Sequence, residues 1–184
     1  MKRFQFLLLD AGPIIKLFQL GIGFGEKFIE KCDVTVSSTV AEEAKWASQE
    51  YEDIKIDLSS YEKVRIIEPE PSVASTFYTK LPTAYKDYVE LQDGEVQTLA
   101  FLCGVSSDWL LCSADGAVFR ILGFLEKGEQ GISLEEVLSQ VGLQPGIKWD
   151  RITPRDEDWK YTKKFRDSNT QKGQRDFIQS QGLA

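Results

Sequence analysis

Histidine is absent from this 184-residue chain. Its absence removes Ser-His-Asp and Cys-His nucleophilic catalysis, paired-histidine ribonuclease chemistry and zinc sites built on imidazole. Any hydrolysis must therefore run on carboxylates, metal ions, lysines or tyrosines. Cysteine is scarce: Cys32, Cys103 and Cys112 are odd in number, widely spaced and form no C-x-x-C pair. Cys103 and Cys112 lie in apolar runs, which predicts reduced, buried thiols of a cytoplasmic protein rather than disulfides. Long hydrophobic runs are lacking too. The amino-terminal one stops at Asp10, too short for a signal peptide or a membrane span. Nor is there an excess of positive charge. A net charge of −7 argues against a tight, non-specific nucleic-acid coat.

What is present suits a globular domain with a real core: 42% hydrophobic and 28% charged residues. Phe4 to Leu9 reads as a buried strand, and Gly12-Pro13 as the start of a helix, with proline at its first position. Gly21, Gly23 and Gly25 read as a turn before a short helix near Glu26 to Lys31. The strand-Gly-x-Gly-x-x-Gly-helix order of a phosphate loop is missing. Asp33 to Ser37 predicts a second strand. Thr39 with Glu42 forms a capping-box pattern for a helix to about Ala47. Val64 to Ile67 is a third strand, followed by a less regular stretch and a helix from Thr83 to Glu90. Asp93, as N-cap, opens an apolar helix through Cys103. Trp109 to Ser113 is the next strand, Gly116 to about Glu126 a helix and Gly131-Ile132 a short strand. Ser133 and Glu136 then cap a helix through Val141.

Strands that are continuous apolar runs and alternate with helices predict an α/β fold: three layers, α/β/α, around a central parallel sheet. Composition shifts after residue 144. From Lys148 onward there are nine Lys/Arg against six Asp/Glu. The expected organisation is a domain over 1–144 and a charged extension over 145–184, polar and mobile from Asp167.

Four acids share a topological property. Asp10 ends the first strand and Asp115 follows the Trp109 strand. In an open parallel sheet ligands gather at the carboxyl ends of strands, so both face one crevice. Glu43 and Glu95 each fall in the first turn of a helix that borders the sheet. Spacing by itself favours ordinary helix-end acids, placed there by the macrodipole and turn chemistry.

Four blocks add to that reading. They are Leu7-Leu-Leu-Asp10-Ala-Gly-Pro-Ile-Ile-Lys-Leu17, Val34-Thr-Val-Ser-Ser-Thr-Val-Ala-Glu-Glu43, Leu91-Gln-Asp-Gly-Glu95-Val-Gln-Thr-Leu-Ala100 and Leu110-Leu-Cys-Ser-Ala-Asp115-Gly-Ala-Val-Phe-Arg120. In that order, over residues 4–142, they resemble the acidic segments of PIN-domain ribonucleases; the third is similar to the Leu-Asp-x-Gly-Glu segment of one subgroup. The resemblance implies a Mg²⁺- or Mn²⁺-dependent endoribonuclease. Asp10, Glu43, Glu95 and Asp115 would be its catalytic and metal-binding cluster, with Asp93 a fifth member and Ser113 close by. Lys16 and Arg120, one helix segment away, are candidate phosphate contacts. Single-stranded or structured RNA is the implied substrate, an antitoxin-like protein and a second copy of the chain the implied partners. The alternatives are a PIN fold that binds without cutting, and the toxin of a toxin-antitoxin pair. Two positions depart from the family pattern: Gly12 stands where Ser or Thr is usual, and Ala114 where Asp is.

Overall fold

The computed structural model describes residues 4–50, 56–68, 70–81 and 91–182. Five strands form one sheet: β1 (Phe4–Leu9), β2 (Cys32–Ser37), β3 (Val64–Ile67), β4 (Leu110–Cys112) and β5 (Gly131–Ile132). Every pairing is parallel, in the order β3-β2-β1-β4-β5. The flanking helices are α1 (Ala11–Gln19), α2 (Ile22–Lys31), α3 (Ser38–Glu50), α4 (Pro71–Lys80), α5 (Asp93–Gly104), α6 (Gly116–Phe124), α7 (Leu134–Gln140) and α8 (Lys163–Ser180).

Alternation along β1 explains the unbroken apolar run Leu7-Leu8-Leu9 at its carboxyl end. Leu7 and Leu9 enter a core shared with α1, α2, α3 and α7, whereas Leu8 enters a second core with α4, α5 and α6. A strand covered on both faces needs no polar side. The expected three-layer α/β/α architecture is thus the observed one.

Several local expectations need correction. Asp10, not Gly12, precedes α1, so Pro13 is the third helical residue; its missing N–H is still one with no intrahelical partner. Gly23 and Gly25 lie inside α2 and only Gly21, at φ 120°, makes the turn. Gly25 lacks a side chain where the Phe18 ring packs, 3.1 Å from an ideal Cβ. Ser37 rather than Thr39 caps α3, its Oγ accepting from Val40 N at 3.2 Å. The stretch after β3 is the helix α4, with Pro71 at its start. The helix expected at 83–90 lies outside the described residues. Cys32 and Cys112 are buried, but Cys103 is only partly so.

The largest departure is at the carboxyl end. Residues 163–180 form α8, capped by the Thr162 hydroxyl, where composition suggested a mobile arm. Gly116 faces Asn169, the Arg120 carbonyl faces Gly173, and Phe124 meets Phe177. The order is the same along both helices, so α8 runs parallel to α6. Its start lies at the carboxyl-end side of the sheet.

Candidate functional site

The strand order creates a switch point. From β1 the chain moves to β2 and β3 on one side, then returns to place β4 and β5 on the other. Crossovers therefore leave the carboxyl ends of β1 and β4 in opposite directions and open a crevice there. Asp10 and Ser113 are the residues immediately after those two strands.

Asp10 is buried, 7% exposed, and caps α1: its Oδ1 accepts from Ala11 N at 2.8 Å. Its Oδ2 accepts from the Ser113 hydroxyl at 2.7 Å. That hydroxyl also accepts from Asp115 N at 3.0 Å, so fully buried Ser113 ties the turn after β4 to the first acid. Asp115 caps α6 through Ala117 N, at 2.5 Å. Glu95 is buried, 8% exposed, within the first turn of α5. Gln92 is the N-cap there, not Asp93, and its backbone N–H donates to Glu95 Oε2 at 2.9 Å. Glu95 is therefore a capping residue as well as a candidate ligand. Its carboxyl is also within hydrogen-bonding reach of Asp115.

No family model, curated protein or solved structure matches this chain.

Burial pushes the Glu95 carboxyl up to about 8. The charges of Asp115 and Asp10 and the hydrogen bond with Asp115 add to the rise, and the Gln92 N–H opposes it. Asp10 is also raised, first by burial and then by Asp115, against the hydrogen bonds from Ser113 and Ala11. Glu43 is raised by burial, then by the charges of Asp10 and Asp93. Its two carboxylate oxygens lie over Gly94, at 3.0 and 3.1 Å from an ideal Cβ. A side chain at 94 would push Glu43 aside. Asp10 and Asp115 are thus tied through Ser113 and Glu95 stands beside Asp115, while Glu43 lies within electrostatic range of Asp10 and of the exposed Asp93.

Lys16 and Arg120 do not turn toward these acids. Lys16 pairs with Asp158 at 2.5 Å and Arg120 with Asp176 at 2.7 Å. Among the described residues, every charge acting on the raised carboxyls is another carboxylate. Also among the described residues, no three His, Cys, Asp or Glu side chains are arranged to hold a metal ion. The hydrogen bonds above give a reason: Asp10, Glu95 and Asp115 are each turned onto a backbone amide.

The donor chemistry nevertheless suits one class of ion. All groups present are hard oxygens, matched to Mg²⁺ or Mn²⁺, and their mutual repulsion is the term a divalent cation would relieve. Gly12 and Ala114 pack together: a Cβ at Gly12 would lie 3.1 Å from Ala114 Cβ. They are one local feature, a small-residue contact beside Asp10. Sequence reasoning missed Gln92, Asp158 and Tyr161, because a glutamine cap and contacts 142 to 149 residues apart leave no periodic signal.

Proposed function

We propose that this protein is a metal-dependent ribonuclease of PIN type, cutting RNA phosphodiester bonds at the carboxyl ends of β1 and β4. One observation carries the reading. At the switch point Ser113 binds both the Asp10 carboxylate and the Asp115 backbone, and the charge of Asp10 acts on Glu43 and Glu95, acids from two further sequence blocks.

Asp10 and Asp115 would hold Mg²⁺ or Mn²⁺, with Glu95 joining directly or through water. Such an ion supplies a water of lowered pKa and offsets charge on the phosphate oxygens. The chain's own residues do the rest. Ser113 fixes the Asp10 carboxylate and the Asp115 backbone together, so the two acids keep one spacing. Glu43, beside Gly94 and less buried, would ligate the ion or orient the attacking water. The Gln92 N–H orients Glu95. The acidity of the crevice disfavours RNA until a cation is bound, which ties substrate binding to metal loading.

Asp10→Asn is the first test, because it removes charge yet keeps an oxygen for the Ala11 amide and turns an NH2 toward the Ser113 hydroxyl, whose oxygen can accept from it. The variant is expected to fold, by circular dichroism, and to lose Mn²⁺-dependent cleavage of single-stranded RNA. A second reading, a PIN-type binding module, is favoured by the amide-bound carboxylates and by the Gly12–Ala114 contact. Absence of cleavage by the unaltered protein, over several RNAs and with both metals, would select it.

A further inference from the structure

The carboxyl-terminal segment reaches back to the helix that Asp10 opens. Tyr161 is 6% exposed, and its hydroxyl donates to the Gly12 carbonyl oxygen at 3.3 Å. The Lys16 ammonium lies 5.8 Å from the centre of the Tyr161 ring, and Lys160 lies 5.4 Å from it. Asp158 completes the grip through its ion pair with Lys16, whose side chain is 18% exposed against 26% for Asp158. Gly12 is the second residue of α1 and Lys16 the sixth. The two anchors, Gly12 in the first turn and Lys16 in the last, are four residues apart, about one helical turn, so together they set the direction of α1.

The opposite side of the Asp10 carboxylate is held differently, by Ser113 after β4. One acid is thus fixed from the sheet by a hydroxyl and from outside by the carboxyl-terminal segment. The ion pair and the ring contact are mostly covered, and a covered pair is screened less than an exposed one.

We propose that Asp158 and Tyr161 form a positioning clamp. They hold α1 at both its first and its last turn, and through it Asp10, at a fixed distance from Asp115 and Glu95. Its consequence for catalysis rests on the nuclease reading above; the clamp itself does not. Neither residue touches the reacting atoms, so both act through α1.

The test uses the full chain and Asp158→Asn, Tyr161→Phe and the double variant. Hydrogen exchange resolved by peptide, melting temperature, and kcat and KM for Mn²⁺-dependent RNA cleavage are measured on each. In the double variant, exchange over α1 should rise while β4 and α6 keep their protection. Turnover should fall about 10-fold or more with KM little changed, because small misplacements of reacting groups weigh on turnover. Tyr161→Phe alone should have the smaller effect, since its ring remains. Unchanged exchange over α1 would overturn the clamp, and so would acceleration spread evenly through β1, β4 and α6. In an active protein, loosened α1 with unaltered kcat would overturn the positioning role. If the unaltered protein cuts no RNA, the nuclease reading falls, while the exchange pattern still decides the clamp.

Discussion

Replacing Glu95 by glutamine should change how stability depends on pH, and the structure sets both sign and size. The Glu95 carboxyl rises from an ordinary 4.5 to about 8 on folding. A group raised by folding stabilises the fold fully below its unfolded value, and that contribution is lost as pH climbs through the folded value. The relevant window therefore runs from about 4.5 to 8. One pKa unit corresponds to roughly 1.4 kcal/mol, so the ceiling is about 5 kcal/mol. Solvent screening at this partly covered site makes the realised slope smaller. We expect about 2 kcal/mol between pH 5 and 9, or roughly 4–8 °C in melting temperature for a chain of this size. Glutamine keeps an oxygen for Gln92 N and gains a donor for Asp115, so its fold should hold. Melting curves by circular dichroism in metal-free buffer, from pH 5 to 9, read the effect. The variant should be the more stable protein at pH 9 and near parity at pH 5. Some slope remains in it, because Asp10 and Glu43 are raised too. Parallel curves for the two proteins would refute the claim that Glu95 is an unrelieved buried acid.

Two further substitutions probe the frame around the site. Ser113→Ala removes the hydroxyl shared by Asp10 and Asp115 N and leaves a buried carboxylate oxygen without its donor. A loss of about 1–3 kcal/mol is expected by thermal melting, and a melting temperature unchanged within experimental error would refute it. In Gly173→Ala a methyl would overlap the Arg120 carbonyl oxygen and the Phe124 amide, both backbone atoms. Forcing α6 and α8 apart should cost about 2–3 kcal/mol. Gly104→Ala, with open space around it, should be neutral or slightly stabilising.

How much of this was legible in the sequence follows from which forces leave a local trace. Burial writes apolar runs such as Leu7–Leu9, and β-branched residues mark even the exposed edge strand β3, so Phe4–Leu9, Val64–Ile67 and Gly131–Ile132 were legible at their observed bounds. The Ser133–Glu136 capping box was legible because both partners lie within one turn. By contrast, α4 is rich in Ser and Thr, whose hydroxyls bond back onto the helix backbone, as Thr76 does to Ser72 O at 2.8 Å. Such residues read as loop. The helix α8 was missed for a related reason. Its contact with α6 depends on Gly173 and Thr170 rather than on a broad apolar stripe, and glycine in a polar stretch reads as a breaker. The acids themselves were legible by position, but their hydrogen bonds were not. Asp93 was expected to cap α5, yet Gln92 does so and Glu95 shares the task.

Capping and metal binding are often treated as competing explanations for an acid at a helix start, and the nuclease proposal requires both of the same carboxylates. Asp10 and Asp115 cap α1 and α6, while Glu95 closes the first turn of α5. Each amide takes one lone pair of a carboxylate that offers about four, so capacity for a cation remains. The macrodipoles of these helices favour negative charge at their starts, which lets acids from distant segments gather before any ion arrives. They do not finish the task. Glu95 is still pushed to about 8 and Asp10 is still raised despite two hydrogen bonds. Caps set where the carboxylates stand, and the charge they leave uncompensated is what a divalent ion would neutralise. On that account Mn²⁺ should raise the melting temperature more at pH 8 than at pH 6, where Glu95 already carries a proton, and the difference should shrink in Glu95→Gln.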